Sequence, residues 1–419
     1  MLWVVWLCLS CLPQAGHAQV ERVVKITVEN AAIRSGPSTE HDRVTVLPSG
    51  LKLPVVRKEG DWYRVRLGDS QEAYVSSDVV ELLPEGSAPS QARVTDVSVR
   101  PFEKGTRVVI SLSAPIPFRI VQRLRPAALI LELYNCRLSQ YGVRQLEGAD
   151  AVLAIEQVQK TTNTAELTFH LPQRQQTGYS AGFSSDDTMV IDIRRPYQSA
   201  SLEDKLIGID PGHGGAWPGA VGPTGFAEKH ANLDIALRVK QMLEEAGARV
   251  FMTRETDVGF GSPSEGQASD LDPRRELTKQ AGCDLFVSVH NNDTGERTGR
   301  SVGGTETYYW TPMSILPAKV IQTNLCGALG TKCRFISWRP FYVLRGTDCP
   351  RVLVECCYLS NPDEETALKG IDFRHRAALG VLAGIREFFD KAVTTDGLEL
   401  PESGVQEPGV QENANGGPP

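Results

Sequence analysis

The chain predicts a multidomain protein: two small all-β domains followed by an α/β domain with a mostly parallel sheet flanked by helices. Three observations carry that expectation. Residues 22–195 hold short runs rich in Val, Ile and aromatic residues, separated by Gly, Pro, Ser and Asn turns. From about 205 to 391 such runs alternate with helix-length segments, the texture of a sheet covered on both sides. Two Pro- and Ser-bearing stretches, 84–91 and 196–201, read as linkers between these parts. At 419 residues the chain also exceeds one ordinary domain.

Hydrophobic residues make up 41% and charged residues 23%, a globular balance. The net charge of −7 and the lack of a long basic run exclude nucleic acid as the main partner. Residues 2–12 are nearly all apolar, and Gly16-His17-Ala18 ends in a small-x-small pattern, so 1–18 is expected to be a signal peptide. That run is too short for a stable spanning helix, and no later stretch suits an anchor. The expectation is an exported protein, periplasmic or cell-wall associated, with no stable membrane insertion. Without Cys8 and Cys11, seven of nine cysteines remain, so at least one is unpaired within the chain. Export permits disulfides. Apart from the adjacent Cys356 and Cys357, the nearest pair in sequence is Cys326 with Cys333. No Cys/His spacing suits a structural zinc knot.

Taken in order, 22–83 holds Arg34-Ser35-Gly36-Pro37-Ser38, Gly60-Asp61-Trp62-Tyr63-Arg64-Val65 and Tyr74-Val75-Ser76-Ser77. These turns and strands resemble the bacterial SH3-type modules of cell-wall proteins, with Trp62 expected to fill the small core. Residues 93–195 add strand-like runs at 107–112, 128–133 and 189–193. They contain no catalytic cluster, and the segment resembles the AMIN β-sandwich that localises envelope proteins. Beyond 205, strands are expected at 206–209, 249–253, 284–289, 305–310 and 352–355, and helices chiefly at 228–246 and 373–390. In the first helix Leu233, Ala236, Leu237 and Leu243 can share one face. The Gly-, Pro-, Glu- and Gln-bearing end, 392–419, is expected to be disordered.

Four residues of the α/β part bear chemistry. His213 follows the run Leu206-Ile207-Gly208-Ile209 in the loop Pro211-Gly212-His213-Gly214-Gly215, where a sheet of this class binds ligands. His290 ends Leu285-Phe286-Val287-Ser288-Val289, and Glu355 ends Val352-Leu353-Val354. Glu228 opens a helix, where the dipole favours a carboxylate. Singly, each is more often structural: a satisfied histidine, a first-turn acid. Together, three strand ends and one helix start suggest a single cleft. Two imidazoles and a carboxylate suit catalytic Zn²⁺ with a position left open, and a further carboxylate can serve as general base.

The motifs Ile209-Asp210-Pro211-Gly212-His213-Gly214-Gly215, Glu228-Lys229, Thr253-Arg254, Ser288-Val289-His290-Asn291-Asn292, Val352-Leu353-Val354-Glu355 and Leu359-Ser360-Asn361-Pro362 occur in the order of one family. Over about 205–391 the chain resembles the zinc-dependent N-acetylmuramoyl-L-alanine amidases that cut peptidoglycan. That resemblance implies zinc ligands at His213, Glu228 and His290 and the catalytic glutamate at Glu355. It also implies metal-assisted hydrolysis of the amide joining N-acetylmuramic acid to L-alanine, with Asp210 and Asn291 as candidates to orient ligands. Asp210 can equally cap its turn. Peptidoglycan is then the partner, and envelope activator proteins are compatible with it. The chain departs from the family at His230, where Asp is usual, in a long Gly/Ser/Asp-rich segment between Arg254 and Arg274 expected as a surface loop, and at Cys356-Cys357. It carries no long helical insertion of the kind that plugs the site in some relatives. A zinc peptidase acting within the stem peptide and a non-catalytic wall-binding protein are the rival readings. Glu355 argues against the second, since a closed structural site has no water for an extra carboxylate to activate.

Overall fold

The computed structural model describes residues 22–394 except 40, 42, 70, 173–174 and 296–301. The expected signal segment with Cys8 and Cys11 lies outside the described residues, as does the expected tail beyond 394. Residues 392–394 complete a helix instead.

Residues 22–195 are all-β, with one 3₁₀ turn at Ser77–Val79 and no α-helix among the described residues. A first seven-stranded sheet closes over Ile26, Ile33, Leu53, Val65 and Val75. On its strand Trp62–Arg66, Val65 points inward and Tyr63, two residues away, packs against the same core. Trp62 falls on the other side of the pleat and is half-buried, which corrects the expectation that it fills the core. Two further sheets face each other across a second core. Val97, Ile110 and Ile191 come from one, and Leu129, Leu131 and Leu167 from the other. The strand Thr188–Arg194 alternates strictly, burying Met189, Ile191 and Ile193, as a half-covered strand must.

The remaining sheet has the order Arg249–Met252, Leu206–Pro211, Leu285–Asn292, Arg351–Tyr358, Thr305–Tyr309, Cys333–Trp338. Its pairings are parallel except that between Thr305–Tyr309 and Arg351–Tyr358. Every residue of Arg351–Tyr358 is buried, the mark of a strand covered on both faces. Helix α1 (Glu228–Glu245) packs on the sheet through Ala231, Ile235, Ala236, Val239 and Leu243. Leu233 and Leu237 are only half-buried, so the buried stripe is rotated from the expected one. Helix α2 (Ala268–Ala281) begins inside the expected surface loop and takes up its last six residues, 268–273. Helix α3 (Ile315–Leu329) is buried over most of its surface and shows solvent chiefly the stripe Lys319, Thr323 and Gly327. Helix α4 (Pro362–Lys369) starts on an Asn361 cap. Helix α5 (Ile371–Thr394) crosses α3 closely, because a Cβ on Gly380 or Gly384 would collide with the Leu325 or Ile321 backbone.

The stretch 196–201 is not a free linker. Tyr197 donates its hydroxyl to Asp284 O at 2.6 Å and packs edge-on against Phe388 and Phe389. Arg194 pairs with Asp284 at 2.7 Å, tying the second β core to the amino end of the strand that carries His290. Cys326 and Cys333 form a disulfide between α3 and the edge strand. Cys136, Cys283, Cys349, Cys356 and Cys357 are buried thiols.

Candidate active site

The site is assembled at the carboxyl ends of three neighbouring parallel strands. Leu206–Pro211 runs buried from Ile207 into the loop that presents His213. Position 212 must be glycine, because the His290 ring lies where a Cβ would project. His213 itself has φ +62°, in the left-handed region that few non-glycine residues adopt. Two buried arginines hold that backbone. Arg274 donates to Pro211 O at 2.9 Å and His213 O at 2.7 Å, and Arg254 to Pro211 O at 2.9 Å and Gly212 O at 3.0 Å. Burial pushes the Arg254 guanidinium down to about 10, with the neighbouring Arg274 charge adding to the effect. Among the described residues the Asp210 carboxylate makes no hydrogen bond to its turn or to a candidate ligand. It accepts hydrogen bonds from Arg274, Thr253 and Ser288, and anchors the foot of the loop. Burial opposes its ionised form, yet those donors keep its carboxyl below the usual range.

Glu228, at the start of α1, lies between the two imidazoles. His213 Nε2 is 3.1 Å from Glu228 Oε2, and His290 Nδ1 is 3.0 Å from Oε1. The rings meet edge to face at 4.9 Å. One ligand atom from each of His213, Glu228 and His290 lies within 4.8 Å of the others, and the three can hold one metal ion. Both Glu228 oxygens have further donors: Ala220 N on Oε2, and Asn291 N and Asn232 Nδ2 on Oε1. Although burial resists it, the two histidines draw Glu228 well below the ordinary carboxylate range.

Glu355 is level with His290 on the adjacent strand and lines the same open cleft, which His213, Gly219 and Asn292 also border. Its Oε2 is buried and has no hydrogen-bond partner among the described residues. Burial, then the Glu228 and Glu306 carboxylates, raise it well above its ordinary value. Glu306 stands opposite Glu355 across the antiparallel pairing and is itself satisfied, by Arg334, Tyr308 and Tyr358. One carboxylate is thus saturated with donors, and its neighbour keeps a buried oxygen without one among the described residues.

All four residues singled out from the sequence meet here. His230 does not: it is exposed and tilts against Phe226, 6.4 Å between ring centroids. The sequence reading missed Arg274, Asn232 and Glu306. Arg274 sits on α2, whose buried face is Asp270, Arg274 and Thr278, with Pro273 inside the helix. A polar inward face leaves no apolar period to detect. The i, i+4 spacing of Asp270 and Arg274 was the available signal.

The sequence profile of the N-acetylmuramoyl-L-alanine amidase family matches residues 207–387, and that of the bacterial SH3 domain matches 29–81. The germination-specific N-acetylmuramoyl-L-alanine amidase of Bacillus subtilis (strain 168) is 32% identical over 215 residues, covering 49% of this chain and 86% of that protein. The N-acetylmuramoyl-L-alanine amidase LytC of the same strain is 34% identical over 196 residues, covering 45% of this chain but only 37% of its own length. Among solved structures, the catalytic domain of CwlV, an N-acetylmuramoyl-L-alanine amidase from Bacillus (Paenibacillus) polymyxa var. colistinus, is 36% identical. It covers 44% of this chain and 98% of that domain, with a TM-score of 0.41. On its profile match and on its likeness to nearly the whole of the germination-specific enzyme, the chain belongs to the N-acetylmuramoyl-L-alanine amidase family of enzymes.

Proposed function

We propose that this chain is a zinc-dependent peptidoglycan hydrolase that cleaves the amide between N-acetylmuramic acid and L-alanine. The observation that carries the reading is the pairing of a three-donor cluster, His213, Glu228 and His290, with Glu355, which lines the same cleft and has a buried oxygen without a partner among the described residues. Two imidazole nitrogens and a carboxylate are a donor set that fits catalytic zinc and leaves a position open. Zn²⁺ held there supplies Lewis acidity toward water and the scissile carbonyl.

The chain's own residues supply the rest. Glu355 accepts a proton from the attacking water as its oxygen bonds to the amide carbon. It returns that proton to the nitrogen as the C–N bond breaks, leaving a carboxylate on the muramic lactyl group and a free L-alanine amine. The donors on Glu228 keep it ionised and fixed, so it does not compete for the proton. Arg254 and Arg274 hold His213 in its left-handed backbone state.

Around this centre the layout proposed is a bacterial SH3-type domain at 22–83, an AMIN-like β-sandwich at 93–195 and the catalytic domain, with its mostly parallel sheet, at 205–391. The two separate N-terminal cores and the SH3 match at 29–81 support it. The protein is read as exported and acting at the wall. No helix among the described residues is long and apolar enough to cross a membrane. Mass spectrometry of digested peptidoglycan tests the reaction: free stem peptides with an L-alanine amino terminus are expected. Cuts confined to bonds within the stem peptide would replace this reading with the peptidase.

A further inference from the structure

Behind the candidate zinc ligands, the donors on Glu228 continue into a buried polar chain. His290 pairs with Glu355 and Asn292 with Tyr358, so Cys356 and Cys357 together oppose the single residue Asn291. This is a β-bulge beside the cleft, and a bulge re-aims the side chains at its step. Cys357 Sγ is 3.3 Å from Asn291 Oδ1, Asn291 Nδ2 is 2.8 Å from Asn232 Oδ1, and Asn232 Nδ2 is 2.9 Å from Glu228 Oε1. Cys357, Asn291 and Asn232 are at most 1% exposed.

The direction of every link is forced. Glu228 Oε1 and Gly212 O both face the Asn232 amide and can only accept, so Asn232 Nδ2 donates to both. Its oxygen then faces Asn291, which must donate. The Asn291 oxygen is left toward Cys357, whose thiol must donate in turn. Asn291 also reaches Glu228 Oε1 directly through its backbone N–H at 3.0 Å. The chain therefore joins the strand bearing Glu355 to the carboxylate at the start of α1 through groups that cannot flip independently.

We infer that Cys357, Asn291 and Asn232 form a positioning relay that fixes the Glu228 carboxylate for the metal and keeps it in register with the Glu355 strand. The inference rests on Glu228 being a zinc ligand. Partners behind a ligand typically contribute about 10–100-fold to metal affinity. Two ordinary buried amides that only fill space would contribute to folding and leave metal affinity unchanged.

The experiment is zinc affinity by competition with a chelator, measured on the full chain alongside the melting temperature of the metal-free form. Asn291→Ala is expected to weaken zinc binding roughly 10–100-fold. Cys357→Ala, which strands the Asn291 oxygen, is expected to weaken it about 2–10-fold, as loss of one modest hydrogen bond does. Cys357→Ser, which restores a donor, should recover most of that. A folded Asn291→Ala protein with wild-type zinc affinity overturns the relay. If Asn291→Ala does not fold, the Cys357 pair decides: serine no better than alanine, or alanine no weaker than wild type, overturns it equally. A wild-type protein that takes up no zinc overturns the relay and the zinc reading together. Wild-type uptake with unaffected variants overturns the relay alone.

Discussion

The start of α1 and the end of the Arg351–Tyr358 strand each place one glutamate on the same cleft, and they treat it in opposite ways. At the helix start, Glu228 receives Ala220 N, Asn291 N, Asn232 Nδ2 and both imidazoles, and is held well below the ordinary carboxylate range. At the strand end, Glu355 keeps an unpartnered buried oxygen and is held well above it. Neighbouring carboxylates pushed apart by their surroundings take different parts in a reaction. Saturation suits a ligand that must stay charged and still. Vacancy suits a group that must take a proton and give it back.

The sharpest way to break this contrast is to neutralise each carboxylate in turn. Glu228→Gln should lose both zinc, read by elemental analysis, and turnover, with a fall beyond that of any single acid–base group. Glu355→Gln should keep zinc and lose about 10²–10⁴-fold in kcat, the usual worth of general acid–base catalysis. Equal zinc loss in both variants would show that the two regions do not divide the work. Near-normal turnover in Glu355→Gln would remove it as the base.

The next effect is on folding. Arg274 is 1% exposed and bridges Asp210 and Asp270 at 2.8 and 2.9 Å while holding the His213 loop. Removing one partner of a buried ion pair costs about 3–5 kcal/mol, so Arg274→Ala should lower denaturant stability by that order. The acid limb gives the sign. Because the folded Asp210 carboxyl lies below its unfolded value of about 3.9, it stabilises the fold above that pH and loses this as pH falls through its folded value. Without Arg274 the carboxyl rises and that contribution shrinks or reverses. A variant with wild-type stability and an unchanged acid limb would show that the loop does not depend on this pair.

The elements that were legible in sequence were those whose burial is apolar and periodic. The strand before His213, the run ending at Glu355 and α1 all announce themselves that way, and the glycine-bracketed histidine marked its own loop. The strands were read short, because Leu285–Asn292 and Arg351–Tyr358 continue past their apolar runs into the cleft. What stayed hidden was polar burial. Arg274 and Asn232 satisfy other buried groups, and a pattern of hydrophobicity carries no trace of them. Helix α3 carried a signal that was not read: Lys319, Thr323 and Gly327, spaced four apart, form its exposed stripe. The four site residues were found by their shared position at element ends, and the left-handed backbone of His213 only by the fold.

The smallest expected effect concerns His230, two residues beyond Glu228. Residues two apart on a helix do not share a face. The turn that aims Glu228 into the cleft therefore aims His230 away from it, and the imidazole is exposed beside Phe226. Surface substitutions of this kind usually stay within about 0.5 kcal/mol. His230→Ala should accordingly retain its zinc and turn over within about twofold of wild type, since 0.5 kcal/mol is little more than that factor. Zinc analysis of the purified variant decides the matter. Lost metal would make His230 a ligand, require α1 to rotate at its first turn, and displace Glu228 from the role that sets it apart from Glu355.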